Sequence, residues 1–188
     1  MSLSKRFSLL CLTAFLALAF GCSSSPTKEG AGEIVDDTAI TAKVKADILQ
    51  APTLKSSEIN VETFKGVVQL SGFVAAQADI TKAAEVARQV AGVKEVRNDL
   101  LLKDKTTTTS ASMGEIVDDT AITANVKADI LQESTLKSSE IKVETFKGVV
   151  QLSGFVGSQA DIAKAGELAG KVKGVKSVKN DMRIKGQQ

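Results

Sequence analysis

Glu62-Thr63-Phe64-Lys65-Gly66-Val67-Val68-Gln69-Leu70-Ser71-Gly72-Phe73-Val74 stands a second time, letter for letter, at Glu144 to Val156. Around this phrase, Gly32 to Lys103 aligns without a gap on Gly114 to Lys185, and 55 of the 72 positions are identical. A repeat of that kind makes two copies of one folding unit. Ile59 and Val61 alternate with Asn60 and Glu62, which is the period of a strand. After Lys65-Gly66, Val68, Leu70 and Val74 alternate with Gln69, Ser71 and Phe73. Two strands around a short turn that holds Gly predict a β-hairpin, because Gly accepts positive φ without steric cost. The pattern sets the register: Leu70 faces the core and Gln69 turns outward, and a slip of one residue would reverse both.

The 188 residues therefore hold two small domains. A unit of this size hides only about 60% of its unfolded surface, so each copy gains from a neighbour. The cores must be aliphatic, since there are seven Phe and neither Trp nor Tyr. Net charge is +2, and setting aside Lys5 and Arg6 leaves 22 basic against 22 acidic residues. A body neutral on average argues against nucleic acid as a partner. There is no His, and Cys11 and Cys22 lie in or at the end of the leader. That removes most nucleophile–base pairs and most transition-metal sites, so no catalytic residue, metal or cofactor is expected.

Residues 1–21 read as a secretory signal: Lys5 and Arg6, then an apolar run from Phe7 to Phe20 that is short for a spanning helix. Ala19-Phe20-Gly21-Cys22 resembles a bacterial lipobox, with Ala19 where Leu is usual. In that family the Cys is acylated and becomes the mature N-terminus, so Cys22 is the expected lipidation site. Ser23 after it resembles the outer-membrane sorting signal, giving a lipid-anchored protein on the periplasmic face of the outer membrane. Cleavage after Ala19 would instead leave a soluble periplasmic protein. Residues 22–31 are a tether that reaches roughly 33 Å when extended.

Module one is assigned to 32–103 and module two to 114–186, with a polar linker over 104–113. Asp36 and Asp37, and likewise Asp118 and Asp119, are expected to cap a first helix. Ile40, Val44 and Ile48 form its buried stripe, and Pro52 ends it in module one. After the hairpin comes a second helix lined by Ile80, Ala83, Ala84, Ala87 and Val90. Ser158 and Asp161 have capping-box spacing, which module one lacks at Ala76. Gly166 and Gly170 are spaced as in G-x-x-x-G, read here as close packing or drift. A last strand carries Val96, Asn98, Leu100 and Leu102, or Val178, Asn180, Met182 and Ile184. The order αββαβ predicts an α+β fold: two tandem modules, each a three-stranded mixed sheet packed on two helices.

With these residues in place, both modules resemble BON domains of bacterial periplasmic and outer-membrane proteins. The resemblance rests on Gly66-Val67-Val68-Gln69-Leu70-Ser71-Gly72 and Gly148 to Gly154, on Ala83 and Ala87, and on Gly92, Val93, Val96 and Asn98 with their partners Gly174, Val175, Val178 and Asn180. Gly66, Gly72, Gly92, Gly148, Gly154 and Gly174 are accordingly the expected turn and packing positions. Lys65 and Lys147 depart from the Asn or Asp often found in that turn. The resemblance implies phospholipid binding, support of envelope integrity under osmotic or other stress, and no enzymatic role.

The copies differ most at their ends, where module two gains positive charge. Lys171, Lys173, Lys176, Lys179, Arg183 and Lys185 are the candidate lipid-binding residues, with anionic phospholipid of the membrane as the partner. The first helix of module two, residues 116–132, is the alternative contact surface. The rival reading is an adaptor that docks envelope proteins, with the anchor serving only localisation. Leu101 stands where module two has Arg183 and points away from its own core, so it is expected to be covered by the other module or by a partner.

Overall fold

The computed structural model describes residues 31–103 and 113–186. Cys22, the leader, the tether and most of the linker lie outside the described residues. Module one runs α1 (Ala31–Gln50), a 3-10 turn, β1 (Asn60–Phe64), β2 (Val67–Val74), α2 (Gln77–Arg88) and β3 (Glu95–Leu102). Module two repeats it as α3 (Met113–Gln132), a 3-10 turn, β4 (Lys142–Phe146), β5 (Val149–Ser153), β6 (Phe155–Val156), α4 (Gln159–Lys171), β7 (Ser177–Asn180) and β8 (Arg183–Ile184). β1 and β2 are antiparallel, with Val61 opposite Leu70. The α2 crossover then returns β3 parallel to β2, with Val96 beside Val68. This is the mixed three-stranded sheet that the element order predicts. In module two both β5–β6 and β7–β8 are interrupted, so the same sheet is divided in two.

The two helices of each module cover one face of its sheet. Ile40, Val44 and Ile48 pack on Val61, Val68 and Leu70 in one core, and Ile122, Val126 and Ile130 on Val143, Val150 and Leu152 in the other. Ala83 and Ala87 let α2 lie close enough for the Asn98 side-chain amide to donate to the Ile80 carbonyl at 2.8 Å. Asn180 repeats this on Ile162 at 2.7 Å. Gly166 lies against that same Asn180 amide, whereas Gly170 has nothing near it, so only the first of the pair serves packing. Ser158 and Asp161 form the full capping box, and at Ala76 only the half made by Asp79 remains.

Two expectations need correction. Both first helices begin before their Asp pairs, so Asp37 and Asp119 lie inside α1 and α3 and do not cap them. The outward face of the hairpin is not a solvent face either. Gln69 and Gln151 are each 1% exposed, and Ser71 and Ser153 each 2%. The described residues form one compact unit in which two apolar cores stay separate, and the second faces of the two sheets meet each other. The result is four layers: helices, sheet, sheet, helices.

Candidate functional site

The meeting of the two sheets is a seam built from the repeated phrase. Along β2, Gln69, Ser71 and Phe73 point away from the helices, and along β5–β6 so do Gln151, Ser153 and Phe155. The Gly154 N–H donates to Gln69 Oε1 at 2.9 Å, and the Gly72 N–H donates to Gln151 Oε1 at 2.7 Å. The Gln69 amide donates to the Asp99 carboxylate and the Asp181 carbonyl, both at 2.7 Å. The Gln151 amide donates to the Asp181 carboxylate at 2.8 Å and the Asp99 carbonyl at 2.7 Å. The Ser71 and Ser153 hydroxyls share a hydrogen bond of 2.8 Å. Each buried glutamine thus has both amide hydrogens and its oxygen partnered, which is what makes a polar contact tolerable away from water.

Rings close the seam on either side. Phe64 lies 5.5 Å from Phe155, and Phe73 lies 5.5 Å from Phe146. Lys185 sits over the Phe64 ring and Lys103 over Phe146, at 5.4 and 5.7 Å. Leu101 stands beside Phe73 in the sheet on this face and is partly buried, as a residue covered by the other module would be. Sequence reasoning missed the seam: the phrase is unchanged between the copies, but so are largely exposed stretches such as 53–58 and 135–140, so identity does not mark it.

The residues that position the hairpin turn come from α1. Lys65 and Gly66 both have positive φ, 52° and 81°, the signature of a tight two-residue turn. The Asp37 carboxylate accepts the Lys65 and Gly66 N–H groups at 2.6 and 2.8 Å, and Asp119 does the same for Lys147 and Gly148. Replacing Asp37 with Asn leaves one oxygen for two donors and removes the charge. We expect Asp37→Asn to cost about 1–2 kcal/mol in urea unfolding. An unchanged midpoint would count against the clamp. The six expected glycines, Gly66, Gly72, Gly92, Gly148, Gly154 and Gly174, all have positive φ.

The six candidate cations of module two fall into two groups. Lys171, Lys173, Lys176 and Lys179 are exposed, at the last residue of α4, on the turn after it and on the edge strand β7. Lys171 is tied to Glu167 one turn earlier, and the Lys171 ammonium holds the Glu167 carboxyl below the usual range. Lys173, Lys176 and Lys179 have no carboxylate partner among the described residues. Lys173 and Lys176 line a groove together with Lys147, Gly148, Gly174 and Ile122, and Asp118 and Asp119 line it too. Arg183 and Lys185 belong instead to the seam. Arg183 Nη2 reaches both Asp99 oxygens, at 3.1 and 3.2 Å, and Lys185 pairs with Glu140 at 3.2 Å. The six candidates thus lie in two places: four exposed at the end of α4 and beyond it, and two in the seam.

No described helix is long and apolar enough to cross a membrane. Among the described residues, no group of three or more His, Cys, Asp or Glu is placed to hold a metal ion. The profile described as the BON domain matches residues 36–104 and 118–186. The chain is similar to Osmotically-inducible protein Y of Escherichia coli (strain K12), 46% identical, over 82% of this chain and 75% of that one. It is also similar to the 21 kDa hemolysin of Actinobacillus pleuropneumoniae, 34% identical over 79% of this chain and 74% of that one. The outer membrane lipoprotein DolP of Haemophilus influenzae is 30% identical, over 78% of this chain and 74% of that one.

Proposed function

Because this chain belongs to the BON-domain family, we propose that it is an envelope protein that binds anionic phospholipid and supports the outer membrane under osmotic or envelope stress. In this reading Cys22 carries the lipid anchor, and two or more acyl chains hold the protein stably on a bilayer, each buried CH₂ contributing about 0.8 kcal/mol. The protein acts by its surface and not by turnover. One observation carries the reading: Lys173, Lys176 and Lys179 stand exposed at one end of module two without carboxylate partners among the described residues, beside Lys171.

The patch is tested with a variant in which Lys171, Lys173, Lys176 and Lys179 are all replaced by Gln. Near an anionic surface each Lys contributes about 1 kcal/mol. The four together correspond to roughly a thousandfold in affinity. We expect the wild type to co-sediment with anionic but not zwitterionic vesicles, in a salt-sensitive way, and the variant to stay in solution. Unchanged binding by the variant rejects the patch. The outer face of α3 has its own claim, since Leu131 is 71% exposed beside Lys127 on the same side. Binding that survives the four substitutions but is lost in Leu131→Glu assigns the contact to that helix. Retention by neither vesicle favours the adaptor reading.

A further inference from the structure

The seam consists of one surface used twice. Phe64, Gln69, Ser71 and Phe73 of module one meet Phe155, Gln151, Ser153 and Phe146 of module two, the same residue types. The hydrogen bonds of the glutamines cross in pairs related by the repeat, and the bond between Ser71 and Ser153 joins equivalent residues; only the Arg183 bonds to Asp99 lack a counterpart among these hydrogen bonds. This is the geometry of an isologous dimer closed inside a single chain. A patch that complements itself does not distinguish its own second module from that of another molecule. We infer that the seam is also an interaction surface for a second copy of this chain, with module one of each molecule seated on module two of the other.

Two positions select that pairing. Glu62 pairs with Lys142 at 3.3 Å and Asp99 with Arg183 at 3.1 Å, so module one supplies both acids and module two both bases. The module-one counterparts of Lys142 and Arg183 are Asn60 and Leu101. Two copies of module one would therefore meet with neither ion pair. Two copies of module two would form both pairs twice, because Glu144 and Asp181 repeat the acids. That arrangement leaves Gln69, Ser71 and Phe73 of each module one uncovered. Reciprocal exchange keeps every contact of the closed chain. What opposes it is the peptide joining the modules, which holds the partner at an effective concentration on the order of millimolar. Exchange therefore grows with protein concentration, and most readily when chains refold together.

The test uses full-length chains with Cys11→Ser and Cys22→Ser. One chain carries Ser71→Cys and the other Ser153→Cys, at the positions whose hydroxyls are 2.8 Å apart. The two are unfolded, mixed, refolded over a range of concentrations and oxidised. We expect a covalent dimer linking 71 to 153, rising with concentration. Chains carrying only Ser71→Cys should give about tenfold less, as two partly exposed ion pairs at about 0.7 kcal/mol each require. A chain with both Ser71→Cys and Ser153→Cys, refolded dilute, should close on itself and shows that the thiols meet. A mixture that gives no covalent dimer at any concentration while that control closes overturns the inference. So does Ser71→Cys alone dimerising as well as the mixture. Light scattering on the chain carrying only Cys11→Ser and Cys22→Ser, refolded in the same way, reads the result without thiols: dimer is expected, and monomer throughout overturns it.

Discussion

Gly72→Ala should unfold module one, and Gly154→Ala module two. The φ angles are +124° and +127°, where an L side chain is strained. A Cβ at residue 72 would run into the Glu58 carbonyl oxygen, and one at 154 into that of Glu140, well inside the 3.0 Å that real Cβ atoms keep. Backbone cannot rotate aside as a flexible side chain does, so a strand or the preceding turn has to move. The Gly72 N–H would also lose its place on Gln151. Strain, collision and a lost buried hydrogen bond together should exceed about 4 kcal/mol, a large share of an ordinary domain's stability. Far-UV circular dichroism in urea reads the loss, since the chain has neither Trp nor Tyr. Gly170→Ala is the control: nothing lies within 4 Å of its Cβ position, and it should be neutral or stabilising by up to about 1 kcal/mol. A Gly72→Ala protein within about 1 kcal/mol of wild type would contradict the close approach of β2 to Glu58.

Gln69→Leu should cost about 3 kcal/mol. Leucine fills the space but strands the Gly154 N–H and the Asp181 carbonyl, and takes away one of the two donors to the Asp99 Oδ2 oxygen. Each buried group left without a partner costs about 1–3 kcal/mol, and Arg183 still serves Asp99. The same argument applies to Gln151→Leu. The double variant is the sharper measurement. The two amides share Asp99 and Asp181, and two leucines would face each other across the seam. The paired loss should therefore be smaller than the sum of the single losses, and urea midpoints in a double-mutant cycle report it. Strict additivity would mean the two glutamines do not belong to one network.

Much of this was legible in the chain. The repeat, the αββαβ order and the helix stripes through Ile40, Val44 and Ile48 follow from periodicity, which is a local property of the sequence. Asp37 was misread for the same reason. An Asp ahead of an apolar stripe is locally a cap, and only the folded hairpin brings two free N–H groups, 28 and 29 residues away, onto its carboxylate. Lys179, Arg183 and Lys185 do run along one last-strand segment. Asp99 and Glu140, from elsewhere in the chain, then claim two of the three.

By itself, then, the order of residues determined which face of each strand is apolar and how many modules there are. It could not tell whether the opposite face meets water or another sheet, because Gln, Ser and an occasional Phe suit a wet surface and a satisfied polar interface equally well. Tertiary structure decided that question, by bringing the two copies of the phrase together so that each amide and hydroxyl at their centre finds its partner in the other.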